Sequence, residues 1–152
     1  MARTKKIVNP DSFYTVYSWM PVELGLSGND LLVYAFIYAY STNESGKGCY
    51  FGGYEALSQS LGCTTKSVER IVHKLHDEGL IEIKQTELEN GLKRNYYRVN
   101  PDPLKLLADR CSTVHKGLAA IVHLSEFWEN LTKLNGKTKR SCKLRDEADR
   151  VF

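Results

Sequence analysis

The amino-acid sequence predicts a mainly α-helical protein with one small β-hairpin, which is an α+β fold. Apolar residues recur at intervals of three and four between positions 68 and 75, which is typical of one face of a helix. Between positions 81 and 99 apolar and polar residues alternate around an Asn-Gly pair, which is typical of a hairpin. A chain of 152 residues that is 42% hydrophobic can bury a core without disulfides or metal ions. The length fits one domain with extensions.

The charges are nearly balanced, but they are unevenly distributed. There are 21 Lys and Arg residues against 18 Asp and Glu, which gives a net charge of +3. Residues 50–100 carry equal numbers of each sign, so the excess lies in residues 101–152. There, the stretch 133–145 contains basic residues and no acid, and it is either an arm that folds along DNA or a solvated tail. Overall charge alone does not predict a nucleic-acid binder.

No targeting or membrane signal is evident in the sequence. The longest nearly unbroken apolar run, residues 31–40, is too short for a bilayer, which needs about 20 residues. The N-terminus has charges but no following apolar stretch, so we expect no signal peptide. The cysteines form no CxxC pair, which favours free thiols in a reducing compartment, the cytoplasm. These cysteines are Cys49, Cys63, Cys111 and Cys142.

The first third of the chain predicts an arm, an extended segment and a helix. We expect residues 1–12 to be a flexible arm and the aromatic stretch 13–20 to lie extended on the core. Ser27 is a candidate helix N-cap with Asp30 three residues later, a variant of the capping box. The following helix, residues 28–40, is apolar on nearly every side. It therefore needs a cover from the segment 13–20, from the C-terminal region or from a second subunit.

Two further helices are predicted around a glycine turn. Residues 49–51 suit a short strand, and residues 54–61 suit a short helix that ends at Gly62. Thr64 is placed to cap the next helix, which ends where glycine is favoured, at Gly79. Its buried stripe is predicted to consist of Val68, Ile71, Val72 and Leu75.

A hairpin and a helical extension complete the prediction. Residues 80–100 suit a β-hairpin, with the turn at Asn90 and Gly91. Residues 101–136 are predicted to be a helical extension, and residues 137–152 a charged tail. The order of helix, short strand, helix, glycine turn, helix and hairpin is that of a winged helix-turn-helix, here spanning residues 13–100 with a helical C-terminal extension.

The stretch YEALSQSLGCTTKSVERIVHKLHDEGLI, residues 54–81, resembles winged helix-turn-helix DNA-binding proteins. The resemblance rests on the Leu-Gly turn, the Thr64 cap, Val68, and Leu75 followed by the sequence EGLI. Residues 17–41, YSWMPVELGLSGNDLLVYAFIYAYS, resemble a narrower group of winged-helix proteins from bacterial phages, plasmids and other mobile elements. That resemblance implies a role in replication initiation or replisome organisation. Residues 101–152 resemble nothing specific.

The second helix of a helix-turn-helix enters the major groove, so the side opposite its buried stripe is the candidate reading surface. Lys66, Arg70 and Lys74 are four residues apart and form one ridge on that side. Glu69 lies among them and weakens a purely electrostatic role. The alternative is that all these positions are merely solvated. The full candidate set on this helix is Thr65, Lys66, Ser67, Arg70, His73 and Lys74.

The hairpin offers a second candidate contact, because a wing commonly touches the backbone or a minor groove. The candidate residues are Asn90 at the tip and Lys93, Arg94 and Arg98 on the return strand. Glu87 and Glu89 on the outgoing side would repel phosphate if they share that face. Alternatively, the two acids pair with Lys93 and Arg94.

The sequence therefore favours a double-stranded DNA-binding protein that acts in replication initiation or gene regulation of a bacterial mobile element. The alternative is a protein-interaction module on a winged-helix scaffold that does not bind DNA. No catalytic motif such as GxSxG, a P-loop or HExxH is present, so we expect neither an enzyme nor a cofactor or metal site. A homodimer, through the apolar first helix or the C-terminal helix, would explain the apolar surface of the first helix.

Overall fold

A computed structural model describes residues 9–134, which form seven helices and a two-stranded antiparallel sheet. The mainly helical α+β architecture of a winged helix-turn-helix is confirmed. Most of the predicted arm and all of the predicted tail, residues 137–152, lie outside the described residues. The elements are α1 (Trp19–Glu23), α2 (Gly28–Thr42), α3 (Tyr54–Leu61), α4 (Thr65–Asp77), β1 (Ile81–Glu87), β2 (Lys93–Val99), α5 (Pro101–Ala108), α6 (Ser112–His123) and α7 (Ser125–Leu134). None of the helices within residues 9–134 could span a membrane.

The segment before α2 differs from the extended strip predicted for residues 13–20. The chain is irregular up to Ser18 and then forms the short helix α1, which contains Pro21. A helix tolerates proline in its first turn because the missing N–H has no intrahelical acceptor there. Trp19 and Met20 are buried, so this turn anchors the N-terminal segment to the core.

Helix α2 is covered by the chain itself. It packs against α1, α3, α4, α6 and β2. Gly117 of α6 lies so close to the helix that a Cβ atom there would overlap with the Tyr38 hydroxyl. A second subunit is therefore not needed to cover the buried residues of α2, which are Val33, Tyr34, Ala35, Ile37, Tyr38 and Ser41. The homodimer through this helix stays a prediction.

The sheet joins the hairpin to the rest of the domain. β1 and β2 pair with Ile81 opposite Val99 and Glu87 opposite Lys93. Tyr50 adds an isolated antiparallel bridge, because its backbone N–H and C=O each form a 2.8 Å hydrogen bond with Tyr97. The strand predicted at residues 49–51 is reduced to this bridge.

The C-terminal helices share the domain core. Helix α5 begins at Pro101, and the Asn100 side chain caps it by accepting a hydrogen bond from the Asp102 N–H at 3.0 Å. The predicted helical extension consists of α5, α6 and α7 within the described residues, and α6 and α7 are separated at Leu124. The core residues contributed by α5 and α6 are Leu104, Leu107, Val114 and Ile121. Helix α7 packs on β1.

Candidate nucleic-acid interface

The turn between α3 and α4 fixes the direction of the second helix. Gly62 has φ +70°, a left-handed conformation that side chains with a Cβ disfavour. Its N–H donates to the Ser58 carbonyl, and the N–H of Cys63 donates to the same oxygen at 3.1 Å. The glycine thus ends α3 and lets the chain begin α4 three residues later.

Thr64 caps the start of α4 as predicted. Its hydroxyl oxygen accepts a hydrogen bond from the Ser67 N–H at 3.2 Å and lies 2.9 Å from the Ser67 hydroxyl. Ser67 is half-buried and serves the cap, which leaves it less suited to reading DNA than the sequence suggested. The first N–H groups of a helix lack intrahelical partners and favour anions such as phosphate.

The face of α4 opposite its buried stripe is open among the described residues. The stripe residues Val68, Ile71, Val72 and Leu75 are at most 3% exposed and face α2, α3 and β1. Because the buried side holds the helix against the core, the other side is left to solvent. The exposed residues there are Thr65, Lys66, Glu69, Arg70 and His73.

Lys74 is exposed as predicted, but it already has an anionic partner. Its Nζ lies 2.7 Å from Oδ2 of Asp30, in the first turn of α2. The hydrogen bond to Asp30 raises the pKa of Lys74 above its ordinary value. The capping box predicted for α2 is therefore wrong, because Asp30 binds Lys74 and the Ser27 side chain forms no cap hydrogen bond.

The wing tip is a tight loop formed by residues 88–92. The Leu88 N–H donates to the Leu92 carbonyl at 2.7 Å, and Gly91 has φ +79°. Asn90 is exposed, and its side-chain oxygen accepts from the Leu92 N–H at 3.0 Å, so its amide helps shape the turn. Lys93 is exposed at the start of β2, opposite Glu87.

Arg98 is not available to DNA, and its prediction as a wing contact is wrong. Its side chain is 7% exposed and donates through Nε to Oε2 of Glu82 at 3.1 Å. Its guanidinium also lies 4.8 Å from the ring centroid of Trp128 in α7. Arg94, on the same face of β2, is half-buried, with its guanidinium 5.8 Å from the Phe51 ring centroid. Helix α7 covers the base of the hairpin, which an alternating strand pattern cannot reveal.

The structure brings part of the predicted set together. Thr65, Lys66, Arg70 and His73 share one open face of α4, whereas Lys74 is paired and Arg98 is buried. Sequence reasoning missed Asp30 as the partner of Lys74 and Trp128 as the cover of Arg98, because both lie far away along the chain. Within residues 9–134, no group of three His, Cys, Asp or Glu side chains could hold a metal ion.

Part of this chain is similar to known proteins. Residues 24–81, which include α2, α3 and α4, match the family model described as a helix-turn-helix domain. A solved structure named "Possible transcriptional regulator from Methanosarcina mazei Go1" is 19% identical, with a TM-score of 0.41. The alignment covers 88% of this chain and 96% of that one. No curated protein matches the chain significantly.

Proposed function

We propose that this chain, which contains a helix-turn-helix domain, binds double-stranded DNA with α4 in the major groove and the hairpin as a wing. The observation that carries the proposal is the open face of α4, where Lys66, Arg70 and His73 are exposed on the helix that such domains insert into DNA. The major groove is wide enough to admit an α-helix, and cationic side chains there meet base edges and phosphates.

The two ends of α4 would make different contacts. Thr65 and Lys66 lie in the first turn, which enters the groove first in this class of domain and reaches base edges. Arg70 lies one turn further and suits either a guanine edge or a phosphate, because its guanidinium can donate two parallel hydrogen bonds. His73 follows on the same side and suits a phosphate.

The wing would add contacts outside the major groove. Asn90 and Lys93 lie at or next to the tip and are exposed, which suits contact with the backbone or the adjacent minor groove. Glu87 lies opposite Lys93 in the ladder, so we assign the wing a weaker electrostatic contribution than α4. Only binding is involved: no bond is made or broken, and the protein acts without catalysis or a cofactor.

The biological setting we propose is replication initiation or gene regulation of a bacterial mobile element. Its support is the resemblance of residues 17–41 to winged-helix proteins of phages and plasmids. A selection from random duplexes would recover the preferred site. Copies of that sequence clustered as repeats at a replication origin of the element would support a role in replication. Copies that overlap its promoters would support gene regulation. Recovery of no common sequence would overturn a sequence-specific role.

Fluorescence anisotropy with a labelled duplex tests DNA binding itself. Binding should weaken as salt rises, with a slope of about 0.9 in log affinity against log salt for each phosphate contact. The variant Lys66→Ala/Arg70→Ala should bind at least about tenfold more weakly, because two cationic contacts are lost. The matched control, Lys105→Ala/Lys116→Ala, removes two exposed cations from α5 and α6 and should change affinity little.

The opposite result is equally clear. A wild-type protein that binds neither random nor selected duplexes at low salt would overturn the proposal and favour the protein-interaction module. Equal losses in the α4 variant and the control variant would show that binding depends only on overall charge, which would also contradict the assignment of α4.

A further inference from the structure

The outer face of the hairpin is covered by α7. Trp128 and Leu131 are 1% and 2% exposed and form a small apolar cluster with Cys49 and Tyr96. Tyr96 lies on β2, and its ring packs 6.1 Å from that of Phe127 at a steep angle. This cluster, which we call the α7 cluster, is separate from the main core. One face of the hairpin therefore packs on the main core, and the other face packs on α7.

Trp128 is the centre of this contact. The Lys84 ammonium and the Arg98 guanidinium lie 4.9 Å and 4.8 Å from its ring centroid. Lys84 also donates a hydrogen bond to the Trp128 carbonyl at 2.8 Å. Lys84 is on β1 and Arg98 is on β2, so one indole ring contacts both strands. Cation–π contacts of this kind stabilise most strongly where water is excluded.

The contacts of α7 lie towards the base of the hairpin. Arg98 is opposite Glu82, Lys84 is opposite Tyr96, and the loop at residues 88–92 lies beyond them. An isolated two-stranded hairpin is marginally stable in water, so its direction depends on what packs against its faces. Lys84 and Arg98 contact Trp128 and so fix the hairpin against α7, whereas Lys93 near the tip is exposed.

We propose that α7 is a positioning helix for the wing and that Trp128 is the residue through which it acts. This inference rests on the proposed function, because it concerns how the wing reaches DNA. Docking of Trp128 on both strands sets the angle of the hairpin, and that angle places Lys93 and the tip against the DNA backbone. The DNA-binding unit then extends to Leu131, well past residue 81, where the helix-turn-helix match ends.

Amide hydrogen exchange in the absence of DNA tests the positioning directly. Trp128→Leu keeps an apolar side chain but removes the aromatic face, so amides of β1 and β2 near the tip should exchange at least about threefold faster. Amides of α4 should keep their rates, because α7 does not contact that helix strongly. Trp128→Phe keeps an aromatic ring and should restore much of the protection. Glu129→Gln, an exposed position on α7, is the matched control.

A double-mutant cycle on DNA affinity tests the consequence. We expect Lys93→Ala to weaken binding several-fold in the wild-type background and to have little effect in Trp128→Leu, because the misplaced wing no longer contacts DNA. Arg70→Ala should cause the same loss in both backgrounds, since residues without shared partners act additively. If Trp128 only stabilised the fold, Trp128→Leu would change the effects of Lys93→Ala and Arg70→Ala on affinity in the same way.

The outcomes separate the two proposals. Unchanged exchange of the hairpin in both Trp128 variants would overturn the positioning role, whether or not the protein binds DNA. Faster exchange together with additive effects of Trp128→Leu and Lys93→Ala would also overturn it. Faster exchange in a protein that binds no duplex would support α7 as the helix that positions the hairpin while overturning the DNA-binding function itself.

Discussion

The Nζ atom of Lys74 lies 2.7 Å from Oδ2 of Asp30, which joins α4 to the first turn of α2. The two residues are 44 positions apart in the chain. Lys74 is the third cation of the ridge formed with Lys66 and Arg70 on the proposed DNA-binding helix. A phosphate that binds Lys74 must therefore compete with a carboxylate that already neutralises it. Asp30 also places a negative charge beside the proposed interface.

Asp30→Asn should strengthen DNA binding. The amide no longer neutralises Lys74 and no longer repels phosphate, so we expect affinity to rise about threefold or more at low salt. The salt dependence should steepen by about one phosphate contact, which is about 0.9 in slope. Anisotropy titrations at several salt concentrations measure both quantities.

The control for this substitution is Asp102→Asn. Asp102 forms another exposed ion pair, with Lys105 at 3.1 Å, but it lies on α5. The same change of charge there should leave the salt slope unchanged. An Asp30→Asn variant that binds DNA no better than the wild type would show that the carboxylate does not restrain Lys74.

Substitutions of Arg98 and Lys93 should affect different properties, the first the stability of the fold and the second DNA binding. Arg98→Met should reduce the free energy of unfolding by about 2 kcal/mol, because Glu82 loses its partner and Trp128 loses a cation. Lys93→Ala should change it by less than about 0.5 kcal/mol, as is usual for exposed positions, while weakening DNA binding. Urea unfolding and DNA titration provide the two readouts. Equal stabilities of the two variants would contradict the buried role of Arg98.

Gly117→Ala should destabilise the protein even though alanine favours helices. A Cβ at this position overlaps with the Tyr38 hydroxyl, and overpacking of this kind typically costs about 1–3 kcal/mol. Tyr38→Phe removes the overlapping oxygen, so it should recover part of the loss when combined with Gly117→Ala. Gly53→Ala is the control, since a Cβ there meets no atom within 4 Å. Thermal unfolding of the four variants tests the close packing of α6 on α2.

Cys49 and Cys111 should react with iodoacetamide at very different rates. Burial in the α7 cluster raises the pKa of the Cys49 thiol to about 12, so almost no thiolate forms near neutral pH. Backbone N–H groups of Val114 and Thr113 at the start of α6 lower the pKa of the partly exposed Cys111. We expect mass spectrometry to find Cys111 modified long before Cys49 at pH 8. In urea the difference should disappear, whereas equal rates in the native protein would contradict the burial of Cys49.

Local patterns predicted the central elements well. The spacing of Val68, Ile71, Val72 and Leu75 predicts α4 because helical periodicity is a property of neighbouring residues. The alternation after residue 80 likewise predicts the hairpin, and Gly62 predicts the turn. By contrast, the expected capping role of Asp30 was wrong, since its actual partner lies on another helix.

Short-range periodicity in the sequence predicts α4, the side of it that is apolar, and the β-hairpin. Which cations remain accessible depends instead on the packing of the whole chain. Lys74 meets Asp30 across 44 positions, and Lys84 meets Trp128 across the same separation. Such contacts depend on how whole helices pack, and no local spacing in the chain specifies that packing.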